Sequence, residues 1–342
     1  MGRQVITSTS PLLPSKSNPD IAMVPLDNSS APDPAPPIAM DEAEAQRDTT
    51  IVPLVERTFA ESNFKRFYSS AQAAAHHRDL LADLHNMVTL FATRVNPPLS
   101  QEVIATGVHS FMAKIRTDAF GVMSMEKDLQ NDVDAVAEYL WTSGKQHAVV
   151  RGMSLSSVLN AVIRDDIAEE IEAAAPIFLS INNRRVCHTS KLSTFDLEGL
   201  EQSYPSNGES WRGGGFRNRF RPFFERIKGQ KYRVPGFLAT SNQRSVASGF
   251  AFKANKNRSR ALWRVTFDRR GKKNAKYRVQ HMSFVSKTLI KGEGEYLFAP
   301  YSVFTLVSVK WSAKIKEPHH FNILAAVDNQ DEGEDLPLAP WY

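Results

Sequence analysis

Two glutamates, Glu293 and Glu295, stand one residue apart at the start of an apolar, aromatic run: Gly292-Glu293-Gly294-Glu295-Tyr296-Leu297-Phe298-Ala299-Pro300-Tyr301-Ser302-Val303-Phe304. If Glu295 opens a strand, the two-residue period puts both carboxylates on one side of the chain. Tyr296, Phe298, Val303 and Leu306 can then pack into a core. Two like charges at a strand mouth are costly unless something uses them. One carboxylate can bind a hydroxyl or stabilise positive charge, while the other accepts a proton or holds a cationic nucleophile. The same pair also fits a solvated strand end.

Two further constellations lie upstream. In Trp211-Arg212-Gly213-Gly214-Gly215, a guanidinium that can fork onto phosphate oxygens is followed by backbone that can come close to a ligand. A glycine-rich turn with a surface arginine is the plainer alternative. In Gly236-Phe237-Leu238-Ala239-Thr240-Ser241, small hydroxyl residues close a strand, and Ala247, Phe250 and Phe252 follow. Hydroxyls and aromatics in that order suit a flat ring and its ribose. Neither motif is specific alone; their order along the chain is.

The elements that would hold these residues divide the chain. Residues 1–50, rich in Ser, Pro, Asp and Ala, cannot bury enough apolar surface to order themselves and are expected to be a disordered tail or leader. A helical region is expected over 51–118. Phe64, Phe67, Leu80, Leu84, Met87 and Phe91 recur at helical spacing, Asn96-Pro97-Pro98 breaks the helix, and Ser100 caps the next one, carrying Val103, Ile104, Val108 and Phe111. His76 and His77 point apart on a helix and make a poor metal pair. Further helices are expected at about 125–141 and 155–178. Asp165-Asp166 and Glu169-Glu170 read most simply as a solvated face.

After Gly208 short β runs take over: Ser210 to Phe216, Val234 to Thr240, Ala261 to Phe267, Tyr277 to Val285, Glu295 to Ala299 and Val303 to Trp311. Helices followed by short strands predict an α+β domain with a mixed or largely antiparallel sheet. The proposed division is a catalytic domain over 119–318 and an acidic C-terminal tail over 319–342.

The order Arg, Thr-Ser, Glu-x-Glu resembles the arginine-serine-glutamate class of ADP-ribosyltransferases, the family of the vertebrate ecto-enzymes, binary toxins and some phage enzymes. Trp211-Arg212-Gly213 matches its aromatic-Arg-Gly strand, Phe237 to Ser241 its Ser-Thr-Ser strand, and Glu293 to Phe304 its Glu-x-Glu strand. Ile181-Asn182-Asn183-Arg184-Arg185 is similar to the Asn-Arg end of a preceding helix. The resemblance covers roughly 120–315. It implies a mixed or antiparallel β-sandwich core with flanking helices, and transfer of ADP-ribose from NAD to an arginine side chain of a target protein. It implies that Arg212 clamps the diphosphate and that Gly213 offers backbone groups to the nicotinamide amide. Thr240 and Ser241 line the ribose pocket, and Phe250 or Phe252 packs on the nicotinamide side. Glu295 stabilises the oxocarbenium-like charge, and Glu293 deprotonates the nucleophile. No metal is required. The sequence departs from the pattern at Ala239, where the family has a serine that helps hold the glutamate. Arg151-Gly152 is a decoy in helical surroundings. The rival readings are a NAD glycohydrolase and a non-catalytic interaction or nucleic-acid-binding protein that keeps the fold.

Composition narrows the classes. The 342 residues allow roughly two domains by a ~150-residue prior. One cysteine, Cys187, excludes an intrachain disulfide and any multi-cysteine zinc site. No run of ~18 apolar residues is present, so no integral membrane segment is expected. With no ordinary secretory signal, a soluble protein is expected, either cytoplasmic or delivered into a host cell. The net charge of +5 concentrates between Lys253 and Arg278, a solvated hairpin or a patch for an acidic partner. Nucleic acid is the lesser reading there, because aromatic interleaving is thin.

Overall fold

Apolar residues three and four apart fold as helices that bury that stripe. These are α1 (Asn63–Ala73), α2 (Leu80–Val95), α3 (Gln101–Met123), α4 (Leu155–Asp165) and α5 (Ala168–Asn183). The computed structural model describes residues 57–73, 80–95, 100–123, 137, 140–142, 153–183, 204–205, 207–254, 257–285, 294–314 and 316–340. The expected leader, His76, His77, Arg151-Gly152, Arg184-Arg185, Cys187 and Glu293 lie outside the described residues. The described residues fall within one compact unit, Ala39–Tyr342. No described helix is long and apolar enough to cross a membrane.

Ser100 caps α3 as expected, its Oγ accepting from the Val103 N–H at 3.3 Å. Ile104, Val108 and Phe111 are buried, whereas Val103 faces out. Of the expected helix at 125–141, Ala137, Leu140 and Trp141 are described and buried.

The acidic run at the α4–α5 junction is not a solvated face. Asp165, Asp166 and Glu170 are buried, and only Glu169 of the four is exposed. Cations from distant segments explain the difference. Arg94 of α2 donates to Glu170 Oε1 at 2.5 Å and to Asp165 Oδ2 at 2.7 Å. Burial alone pulls the Arg94 guanidinium down, but Glu170 and Asp165 together hold it above its ordinary value. Asp166 sits in the left-handed region at φ 54° and ends α4. Its carboxylate accepts the Asn63 and Phe64 N–H groups at 3.0 and 3.1 Å, capping α1 from another part of the chain. Burial raises the Asp166 carboxyl, with Arg57 and those two amides working against it.

The strands form one eight-stranded sheet of order β2-β7-β8-β4-β1-β3-β6-β5. In chain order these are β1 (Glu209–Phe216), β2 (Lys231–Val234), β3 (Leu238–Ser241), β4 (Ser259–Thr266), β5 (Met282–Phe284), β6 (Glu295–Phe298), β7 (Ser302–Lys310) and β8 (His319–Ala325). β4 and β8 run parallel and the other pairs antiparallel, so the sheet is mixed. Helix α6 (Arg221–Arg226) follows β1, and α7 (Arg244–Phe252) joins β3 to β4. The sheet curls on itself: Phe298 of β6 meets Phe304 of β7 edge-on at 5.1 Å, although four strands separate them in the sheet. Phe216, Phe224, Trp263, Phe298, Phe304 and Phe321 fill the inside of the curl. A second core joins α2, α4 and α5 to Phe237, Leu297 and Tyr301, so helices and sheet share apolar packing. The α+β architecture matches the expectation.

Three strand readings differ from the structure, the first being the expected run Tyr277 to Val285, which is a strand only over β5, with a 3-10 turn at Ala275–Tyr277 before it. The expected run Val234 to Thr240 is split into β2 and β3, with Pro235-Gly236 between them, because proline cannot donate to a ladder. His319–Ala325, expected to begin an acidic tail, is instead β8, an interior strand between β7 and β4. Its alternating Phe321, Ile323 and Ala325 enter the inner core. The acidic segment after it is fastened by β2: Lys231 pairs with Glu332 at 2.6 Å, and Arg233 donates to the carbonyls of Asn329, Glu332 and Gly333.

Candidate functional site

Strand order brings the three sequence motifs side by side. β1 carries Trp211 and Arg212, β3 carries Thr240 and Ser241, and β6 opens at Glu295. Trp211 lies opposite Ser241, and Ser241 opposite Glu295. Directly opposed residues of antiparallel strands share a face, so the indole, the hydroxyl and the carboxylate form one row. Neighbouring strands are ~4.8 Å apart, so the row spans about 10 Å. Glu295 does open a strand, as its spacing predicts; Glu293 is outside the described residues.

Between β1 and β3 a single registered pair is found among the described residues, at Trp211 and Ser241. Arg212 reaches across to β3, its Nη1 donating to the Ala239 carbonyl at 2.8 Å. By the two-residue period Arg212 lies on the face opposite Trp211, the face of its β4 partner Trp263, and the bond ties it across the gap between β1 and β3. More positive charge gathers around Trp211, with the guanidinium carbons of Arg244 and Arg264 at 5.1 and 5.8 Å from its ring centroid. Burial, with Arg244 and Lys310 nearby, pushes the His320 imidazole below its ordinary value.

The hydroxyls have different surroundings. Thr240 is buried and donates to the Tyr296 carbonyl at 3.3 Å. Ser241 Oγ accepts the Gln243 N–H at 2.9 Å, turning the chain from β3 toward α7. Phe250 and Phe252 lie on α7, 49% and 54% exposed, beneath Lys253 and Arg260 respectively. Two glycines shape the site. A Cβ on Gly213 would lie 1.6 Å from the Ala247 carbonyl oxygen, so α7 requires glycine there whatever else its backbone contacts. Gly294, at φ 52°, places its carbonyl to accept the Asn242 N–H at 2.9 Å, and a Cβ there would collide with the Asn242 side chain. Gly213→Ala is expected to push α7 off β1 and destabilise the fold by about 1–3 kcal/mol, read by urea unfolding.

No family model and no curated protein matches the chain. Solved structures do. One is the ADP-ribosyltransferase Vis of Vibrio splendidus, at 15% identity, covering 63% of this chain and 85% of Vis, with a TM-score of 0.36. Another is the ADP-ribosyltransferase HopU1 of Pseudomonas syringae pv. tomato DC3000, at 16% identity, 73% and 99% coverage and a TM-score of 0.36. A third is C3stau2 of S. aureus with NAD, at 15% identity, 59% and 91% coverage and a TM-score of 0.31. The chain resembles ADP-ribosyltransferases of known structure. The chemistry has to be read from this chain's own side chains.

Two residues that support the row had no signal in the sequence. Trp141, from the helix expected at about 125–141, donates its Nε1–H to Glu295 Oε1 at 3.0 Å. Asn160 of α4 receives the Phe237 N–H at 2.8 Å and returns a long bond of 3.5 Å to the Phe237 carbonyl, fixing the entry to β3. Both act across gaps no local pattern marks. Much of the basic stretch is engaged in structure: Arg264 pairs with Glu209, Arg270 with Asp268, and Arg278 donates to the Gly271 carbonyl while packing on Tyr204.

Proposed function

We propose that this chain transfers ADP-ribose from NAD to an arginine side chain of a target protein, releasing nicotinamide. The observation that carries the reading is the row of Trp211, Ser241 and Glu295 across three adjacent strands, with Arg212 tied from β1 to the Ala239 carbonyl of β3. Arg212 clamps the diphosphate. Gly213, Thr240 and Ser241 border the nicotinamide and ribose, and Phe250 or Phe252 covers the ring. The bond between ribose C1 and the nicotinamide nitrogen breaks, and its electron pair leaves with nicotinamide. Glu295 faces the positive charge left on the ribose. Glu293 takes a proton from the attacking guanidinium nitrogen as the new C–N bond forms. No metal enters these steps.

Arg212→Ala is expected to weaken NAD binding by roughly 10- to 100-fold, the loss of a charge-assisted clamp. Titration calorimetry with NAD checks this, and unchanged affinity would remove Arg212 from the site. The second reading, a non-catalytic protein that keeps the fold, rests on Ala239. It predicts neither NAD binding nor nicotinamide release from wild type.

A further inference from the structure

Trp141 lies 154 positions before Glu295, yet its indole reaches the carboxylate at 3.0 Å. The ring is only 5% exposed and packs on Phe237 at 4.9 Å, whose backbone Asn160 holds. A buried indole has one polar atom, a donor that needs an acceptor. Here the acceptor is the carboxylate at the end of the row. Ala239 is paired with Leu297, which shares a face with Glu295 by the two-residue period. Ala239 is therefore a diagonal neighbour of Glu295 on that face, and a methyl donates nothing.

We propose that Trp141 is a positioning residue of Glu295, supplying from the segment before β1 a hydrogen bond that the methyl of Ala239 cannot supply from β3. The proposal rests on the transfer reading above. An indole N–H only donates, so it favours the ionised carboxylate and fixes one of its oxygens. A serine hydroxyl can donate or accept and is tied to its own strand.

Trp141→Phe keeps the ring against Phe237 and removes the donor. It is expected to lower kcat for NAD cleavage by roughly 10- to 100-fold with little change in KM, as loss of a hydrogen bond to a charged group does. The acidic limb of the pH profile moves to higher pH, because the charged form has lost a donor. In a Glu295→Gln background the same substitution has a much smaller effect, since Trp141 acts through the carboxylate. Adding Ala239→Ser to Trp141→Phe recovers part of the loss. If Trp141→Phe fails to fold, the indole N–H resonance of Trp141 decides: it shifts between wild type and Glu295→Ala, which removes the acceptor, if the contact exists and stays in place if it does not. The proposal is overturned if Trp141→Phe matches wild type in kcat and pH profile, or if its loss adds fully to that of Glu295→Gln. Wild type that cleaves NAD beside an equally active Trp141→Phe sinks this proposal alone. Wild type that cleaves no NAD sinks the transfer reading as well.

Discussion

Glu295→Gln is expected to slow nicotinamide release by roughly 10²- to 10³-fold while NAD affinity changes only a few-fold. The substitution keeps the shape and leaves an amide oxygen to accept from Trp141, so the fold and the row should survive. What is lost is negative charge beside a ribose that turns cationic as the bond to nicotinamide breaks. A preorganised charge matters most where charge develops, which places the loss in kcat and not in binding. Steady-state nicotinamide release measures both quantities. Activity within a few-fold of wild type would move the chemistry away from Glu295.

The largest stability effect is expected at Arg233. This arginine is 1% exposed, and its guanidinium donates to the carbonyls of Tyr301, Asn329, Glu332 and Gly333 while lying 4.8 Å from the Phe59 ring centroid. Burial pulls the group below its ordinary value, and Glu332 and Glu334 work in the other direction. Arg233→Ala leaves several carbonyls without their donor and opens a void, so about 3–5 kcal/mol of stability is lost. Arg233→Lys keeps the charge but not the planar fork and falls between the two. Urea unfolding of the three proteins gives the order. Equal midpoints would show that the segment after β8 is held by other contacts.

How much of this was legible follows the range of each interaction. The strand opening at Glu295 was readable because the alternation after it is local. The strands that carry Arg212 and Ser241 were readable for the same reason, since each run is apolar or small over consecutive residues. Trp141 was not, because a tryptophan in a helical stretch looks like core until its partner is known. Asp165, Asp166 and Glu170 were misread for the same reason: their counter-charges, Arg94 and Arg57, come from far upstream. β8 carried its own alternation, but the acidic residues after Ala325 masked it. Ala239 was legible as a departure from the serine of the resembled motif, whereas the indole proposed to act in its place comes from a segment that no strand motif covers.

The central claim is that this chain joins ADP-ribose to arginine, and labelled NAD tests it most directly. Wild type, Glu295→Ala and Glu293→Gln are each incubated with cell extract and labelled NAD, and label on protein and free nicotinamide are counted together. The account predicts labelled protein with wild type, none with Glu295→Ala, and nicotinamide release without protein label for Glu293→Gln. The label should be lost on neutral hydroxylamine treatment, as an arginine linkage is. Wild type that neither labels protein nor releases nicotinamide would contradict the account, leaving a fold that holds the row of Trp211, Ser241 and Glu295 without its chemistry.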